Sequence, residues 1–311
     1  MYIIFRTFVT GHNTSITFYD TMKIRISTLA GIIAALLMTT DLFGQAQITT
    51  KKEKIKDFAS RTTKIVLSGD ELLDDVLQDC ISGSWNVSPY EFCSMAEFEA
   101  LKSNPGFYFL MVVKGQFRKE KEPGIDMITL IKGGEGADKS VNDMIELATF
   151  PLRASEEPTG REFLMLPVII RQIQDKAIGM TQSELKAYSG GFTVSPKVFG
   201  KIWNKRIHFS KDDLSPQINA SVMKNLDEDI IIEEDEEDVD EIFEAGTYNA
   251  VVSYIVAPSE PKDGSICYKM LIGADTHELY YFKKHKISAS KGAGFLASDM
   301  KAISKVRKKK K

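Results

Sequence analysis

The sequence predicts an α/β protein with mixed sheets, built as two similar βαβαββ(β)α lobes joined by a buried helical segment. Three observations carry that expectation. The element order over residues 64–113 (strand, capped helix, strand, shorter helix, apolar strand) recurs over residues 206–255. At 311 residues the chain exceeds the size of a usual single core, so two lobes are expected before any motif is read. Between the two copies, residues 163–170 are apolar on every side except for Pro167, and so uniform a segment needs burial between two surfaces.

The duplication is clearest where each copy opens. Lys64-Ile65-Val66-Leu67-Ser68-Gly69-Asp70-Glu71-Leu72 aligns with Arg206-Ile207-His208-Phe209-Ser210-Lys211-Asp212-Asp213-Leu214. Over the whole span six of fifty positions are identical, so hydrophobic pattern carries the match and identity does not.

Residues 1–46 are read as an upstream extension followed by a signal peptide. Met22 begins a tripartite pattern: Lys23 and Arg25 at the positive end, an apolar stretch over 26–40, then small residues in Gly44-Gln45-Ala46. The apolar stretch is shorter than the roughly 20 residues of a membrane span. Cleavage is expected between Ala46 and Gln47, which makes the protein exported, periplasmic or associated with an outer membrane. Residues 47–63 are basic and poor in large apolar side chains, and are expected to form a poorly ordered leader.

The first lobe is assigned to 64–150. Ser68-x-x-Glu71 reads as a capping box, followed by an apolar stripe of Leu72, Leu73, Val76, Leu77, Cys80 and Ile81. Residues 86–92 read as a strand, and Ser94-x-x-Glu97 as a second capping box ahead of Met95, Phe98 and Leu101. Residues 107–113 form an apolar run expected of a strand covered on both faces, paired with 125–131. Residues 140–150 read as a helix through Val141, Met144, Ile145 and Leu147.

A helical connector is assigned to 151–200. Thr159-x-x-Glu162 and Thr181-x-x-Glu184 read as further capping boxes, and Pro167 is expected to kink or restart the central helix. The second lobe is assigned to 201–306. Its strands are expected at 207–209, 230–232, 248–257, 266–272 and 279–287, with Asp275-Thr276-His277 in the last hairpin turn. Ser210-x-x-Asp213 should cap a helix through Leu214, Ile218, Val222 and Met223. A second helix should bury Val239, Ile242 and Phe243, and a closing helix over 293–305 should bury Phe295, Leu296, Met300 and Ile303. Residues 307–311 read as a solvated basic tail.

Chemical motifs are sparse. The net charge of −3 points away from a nucleic-acid partner. Gly133-Gly134-Glu135-Gly136-Ala137-Asp138-Lys139-Ser140 sits where a phosphate-cradling loop would belong, yet Asp138 stands where a P-loop needs glycine; a flexible strand-to-helix connector is favoured. Residues 227–244 hold twelve acidic residues in eighteen without the glycine of a calcium loop, so a solvated face is favoured over a cation site. No metal site and no cofactor are expected. Cys80, Cys93 and Cys267 lack paired zinc spacing; free thiols are favoured over a Cys80–Cys93 disulfide. No catalytic residue is assigned. The least poor candidates are His277 with its neighbours Asp275 and Glu278, a group that also fits an ordinary exposed turn.

Two passages resemble uncharacterised exported proteins of Bacteroidetes-type Gram-negative bacteria. They are Trp85-Asn86-Val87-Ser88-Pro89-Tyr90-Glu91-Phe92-Cys93, and Leu279-Tyr280-Tyr281-Phe282-Lys283-Lys284-His285-Lys286-Ile287 followed by Gly294-Phe295-Leu296 and Asp299. Each lobe is also similar, in element order, to the small α/β domains at the start of periplasmic TolB-like proteins. Neither resemblance implies an activity. The expectation is a non-enzymatic binding or assembly module of the envelope, with an envelope protein or cell-surface component as partner and homodimerisation through a lobe face as a further option. The alternative is a periplasmic or surface hydrolase whose acid/base pair comes from residues distant in sequence.

Overall fold

A computed structural model of the chain describes residues 51–115, 123–189 and 191–308. The upstream extension, the signal pattern with Ala46 and Gln47, and the last three basic residues lie outside the described residues.

The first lobe contains β1 (Thr62–Val66), α1 (Glu71–Ser84), β2 (Tyr90–Cys93), α2 (Met95–Leu101), β3 (Phe107–Gly115), β4 (Ile125–Lys132) and β5 (Ile145–Ala154). Its sheet runs β2-β1-β3-β4-β5, with β1 parallel to both neighbours and the remaining pairs antiparallel. The connector follows as α3 (Arg161–Gln182), α4 (Glu184–Tyr188) and α5 (Pro196–Phe199). The second lobe contains β6 (Arg206–Ser210), α6 (Ala220–Lys224), β7 (Ile230–Glu233), α7 (Glu236–Glu244), β8 (Ala250–Val256), β9 (Ile266–Gly273), β10 (Leu279–Lys286) and α8 (Ala297–Lys308).

Its sheet order, β10-β9-β8-β6-β7, is that of the first lobe read from the other edge. Strand directions match as well: β1 and β6 each run parallel to both neighbours, and the remaining pairs are antiparallel. Register is offset by one residue, so Ile65 beside Leu110 faces the shared core while Ile207 beside Val251 faces the outer side of the second sheet. The two similar lobes are therefore two separate five-stranded sheets with one connectivity.

Helix α3 lies between them. Met165, Leu166, Val168, Ile169, Ile170 and Ile173 share one core with Ile65, Leu110, Ile128 and Phe150 of the first sheet and Val252, Tyr254 and Met270 of the second. The helix runs without a break through Pro167, which faces solvent, so the helix does not restart there. Among the described residues no helix is long and apolar enough to cross a membrane.

Several local expectations are corrected. The leader of 47–63 is not loose from residue 52 onward: residues 52–55 are helical, Ile55 and Phe58 are fully buried, and Asp57 accepts hydrogen bonds from Tyr108 Oη (2.6 Å) and Lys132 Nζ (2.7 Å). Two apolar anchors suffice to dock a segment whose other residues remain wet. The helix expected over 140–150 is strand β5, preceded by a 3-10 turn at Val141–Asp143, and the lobe ends at Ala154. Both faces of β5 are buried over most of its length, and a continuous apolar run has no period that separates strand from helix.

Caps shift for identifiable reasons. Asp70, not Ser68, caps α1 by accepting from Leu73 N, while Ser68 and Gly69 donate to Asp74; Leu72 is consequently left exposed, at 58%. The box at Ser94 and Glu97 forms as expected. Gly160 caps α3 with φ of 90°, a conformation costly for Thr159, and Glu162 reaches back to accept from Gly160 N. Ser183 caps α4, because the Thr181 hydroxyl donates to the Ile178 carbonyl instead.

In the second lobe Ser210-x-x-Asp213 opens a turn, and only Ala220–Lys224 is helical, capped by Asn219. Pro216 accounts for the break: it has no N–H to donate and biases Ser215 away from helical backbone. The closing helix begins at Ala297 and includes Arg307, which is 2% exposed and bonded to Asp227 (2.8 Å), Asp229 and the Ile202 carbonyl (3.0 Å). The basic tail is thus corrected at Arg307, whose guanidinium fork two acids of the 227–244 run draw inward. With Phe295, the Met300 and Ile303 side chains of α8 cover the outer face of the second sheet against Ile207, Phe209, Val251 and Leu271.

Candidate functional site

The edge strands β5 and β10 of the two sheets approach one another at the seam, and a cavity of about 700 Å³ lies there. That volume falls within the roughly 300–1,000 Å³ range of small-molecule sites. Strand alternation puts Phe282 and Lys284 of β10 on one face. Phe282 packs at ring-centroid distances of 5.9 Å from Tyr268, 6.0 Å from Phe192 and 5.2 Å from Phe150, so aromatic side chains from both lobes and the connector meet there. Met127, Thr129 and Ile131 of β4 line the first-lobe side, where Thr129 and Thr149 share a hydroxyl–hydroxyl hydrogen bond of 2.7 Å.

Lys114, Lys283 and Lys284 also line this groove and are exposed. Lys284 Nζ sits 5.6 Å from the Tyr268 ring centroid and Lys283 Nζ 5.1 Å from that of Tyr281, which places each ammonium over an aromatic face. Among the described residues none of these three forms an ion pair, whereas Lys54, Lys64, Lys201 and Lys211 each hold a glutamate.

A second seam feature is charged and largely buried. Arg161, 4% exposed at the start of α3, donates to Asp240 (2.9 Å), Asp213 (3.2 Å), Glu236 (3.3 Å) and the Ser253 carbonyl (3.1 Å), and lies over the Tyr254 ring. Burial alone would lower its pKa, but Asp213, Asp240 and Glu236 outweigh burial and hold it above the usual value. Desolvation raises the pKa of all three carboxyl groups, with Arg161 opposing the shift. Across the seam Arg153 of β5 donates to Asp70 (2.9 Å), Asp126 (3.1 Å) and Glu162 (3.3 Å), and its bond holds the Asp70 pKa below the usual range. Arg153, Arg161, Glu162 and Glu236 border a smaller cavity of about 230 Å³. Their charges are used up in holding the lobes to α3.

The residues singled out from sequence do not converge. His277 has φ of 53° and stacks on Phe243 (5.1 Å between rings), with its pKa lowered by burial and then by Arg171. Asp275 accepts from Asn249 N and Glu278 pairs with Lys201, so the three serve turn geometry. The 133–140 loop leads to a 3-10 turn and β5 and so lacks the helix a phosphate cradle uses. Gly133 is required there because a Cβ would strike the Asn104 carbonyl. Among the described residues no group of His, Cys, Asp and Glu is arranged to hold a metal ion. The cysteines are free thiols, and burial pushes Cys267 up to about 11.

Sequence reasoning missed the groove. Its one local signal was Phe282-Lys283-Lys284, an aromatic followed by paired lysines on a strand at the sheet edge. His208 Nδ1 and Glu233 Oε1 lie 2.7 Å apart on β6 and β7, but neither lines the groove or the smaller cavity. No family model, curated protein or solved structure matches the chain, so its function is argued from these residues alone.

Proposed function

We propose that this is an exported envelope protein acting as a non-enzymatic binding or assembly module, with its ligand held in the groove between β5 and β10. The observation that carries this reading is the meeting of Phe192, Tyr268 and Phe282 with three lysines around a cavity of about 700 Å³. Aromatic walls supply non-directional affinity, and a few polar groups orient the ligand. Export rests on the pattern from Met22 to Ala46. An envelope component is the expected source of the ligand.

Native mass spectrometry of the full chain, expressed and exported in a Gram-negative host, tests both parts. The exported species should begin at Gln47. It should carry a co-purifying small molecule that Phe282→Ala and Phe192→Ala each deplete, while circular dichroism stays unchanged. Equal retention by the wild type and both variants would remove the groove from the reading, and an uncleaved chain confined to the cytoplasm would remove export.

A further inference from the structure

Resting on that binding reading, we infer that the groove takes a single-chain amphiphile with an anionic headgroup. The body of the ligand is set by the walls. Phe282 from β10 and Phe192 from the connector are half-buried and present apolar surface that an alkyl chain would cover, above a floor at buried Met127 and Ile131 of β4. Burying such surface contributes roughly 25 cal/mol per Å², so a chain gains affinity along its whole length.

The headgroup is set by the charge at the groove. Among the described lining residues three lysines stand against one carboxylate, that of Glu146. Lys284 rests on the Tyr268 ring, which orders its ammonium without neutralising it, while the Lys283 ammonium lies over Tyr281 on the other face of β10. Positive charge near an apolar wall selects an anion attached to a hydrocarbon; a neutral amphiphile would leave the lysines unanswered, and a cationic one would be repelled.

Isothermal titration of the full chain, below the micelle concentration of each probe, tests the assignment with three probes. Dodecyl phosphate combines chain and charge, inorganic phosphate carries charge alone, and dodecyl maltoside carries chain alone. Dodecyl phosphate should bind at least about tenfold more tightly than the maltoside, and inorganic phosphate should fail to saturate. The double variant Lys283→Glu, Lys284→Glu should lose about tenfold for dodecyl phosphate and keep its maltoside affinity. Raised salt should weaken only the phosphate ester, because exposed charges are screened.

Equal affinity for the ester and the maltoside, or an ester affinity indifferent to the double variant, would overturn the headgroup assignment. Saturable binding of inorganic phosphate alone would overturn the chain. Failure of dodecyl phosphate to bind would overturn the inference as a whole. The binding reading would survive that failure if the exported protein still carried a molecule that Phe282→Ala depletes.

Discussion

The two lobes share strand order and strand direction but treat their charged groups and outer faces differently. In the first, Arg153 meets Asp70, whose carboxylate is 40% exposed and held below its usual pKa by that bond. In the second, Arg161 is enclosed by three carboxyl groups raised by desolvation, with Asp213 fully buried. The outer face of the second sheet lies under α8, while that of the first is packed by Phe98 of α2 and by Ala137 and Met144 from the β4–β5 link. One topology therefore supports two electrostatic regimes. Connectivity is set by hydrophobic pattern, and the state of an ion pair by how much of it is removed from water.

The largest effect that can break this comparison is at Arg161. Arg161→Met should cost about 3–5 kcal/mol, because fully buried Asp213 and half-buried Glu236 and Asp240 lose their cation. Arg153→Met should cost less, about 1.5–3 kcal/mol, since Asp70 remains wet and the buried Asp126 and Glu162 keep the Ser155 hydroxyl and the Gly160 N–H as donors. Urea denaturation of the two variants measures the difference, and equal losses would mean the lobes are electrostatically alike.

Next in size is Arg307→Met. It should cost about 3 kcal/mol by stranding Asp227, whose side chain is 4% exposed. A loss within about 0.5 kcal/mol, as for an ordinary surface substitution, would return the residue to a solvated tail.

The pH dependence sharpens the contrast. Asp213, Glu236 and Asp240 have folded pKa values above the unfolded ones, so the folded state holds more protons and these groups stabilise it below the ordinary carboxylate range. That contribution declines as pH rises from about 4 through their raised folded values. Asp57, Asp70 and Asp299 are lowered and act oppositely, contributing above their unfolded pKa and losing that contribution as pH falls through the folded one. Glu236→Gln should therefore flatten the fall in melting temperature on going from about pH 5 to about pH 7, whereas Asp70→Asn should lower stability near neutrality and change little near pH 3. Melting curves across that range would show parallel behaviour of the two variants if the comparison is wrong.

A last contrast separates neighbours within one helix. Leu73→Ala should cost about 2–5 kcal/mol and Leu72→Ala no more than about 0.5 kcal/mol, because the first is 1% and the second 58% exposed. Thermal denaturation distinguishes them readily.

Much of the fold was legible before coordinates, and the misses share a cause. Alternating and 3.6-residue patterns located β1, α1, α2, β3, β4, β6, α7, β9 and β10. The burial of residues 163–170 followed from their apolar surface. Beta strand 5 was misread because a run buried on both faces has no period. The pattern Ser210-x-x-Asp213 opens a turn and no helix because Pro216 follows two residues beyond Leu214. Ile55, Phe58 and Arg307 were read as solvated, because composition says nothing of a distant surface that receives a side chain. At the candidate site only Phe282-Lys283-Lys284 left a trace in the sequence. Phe192, Lys114 and Tyr268 reach the groove from separate elements, and no spacing could have joined them.

From its own residues the chain determined which segments are strand or helix, that a lobe is built twice, and that an apolar rod separates the copies. Those properties follow from backbone geometry and side-chain periodicity, which act over a few residues. Tertiary structure alone decided that Arg161 should meet Asp213 across 52 residues, that Arg307 should meet Asp227 across 80, and that two sheet edges should enclose a groove. Those pairings depend on which surfaces the folded sheets bring together and how far each is shut off from water, and neither quantity exists until the whole chain has packed.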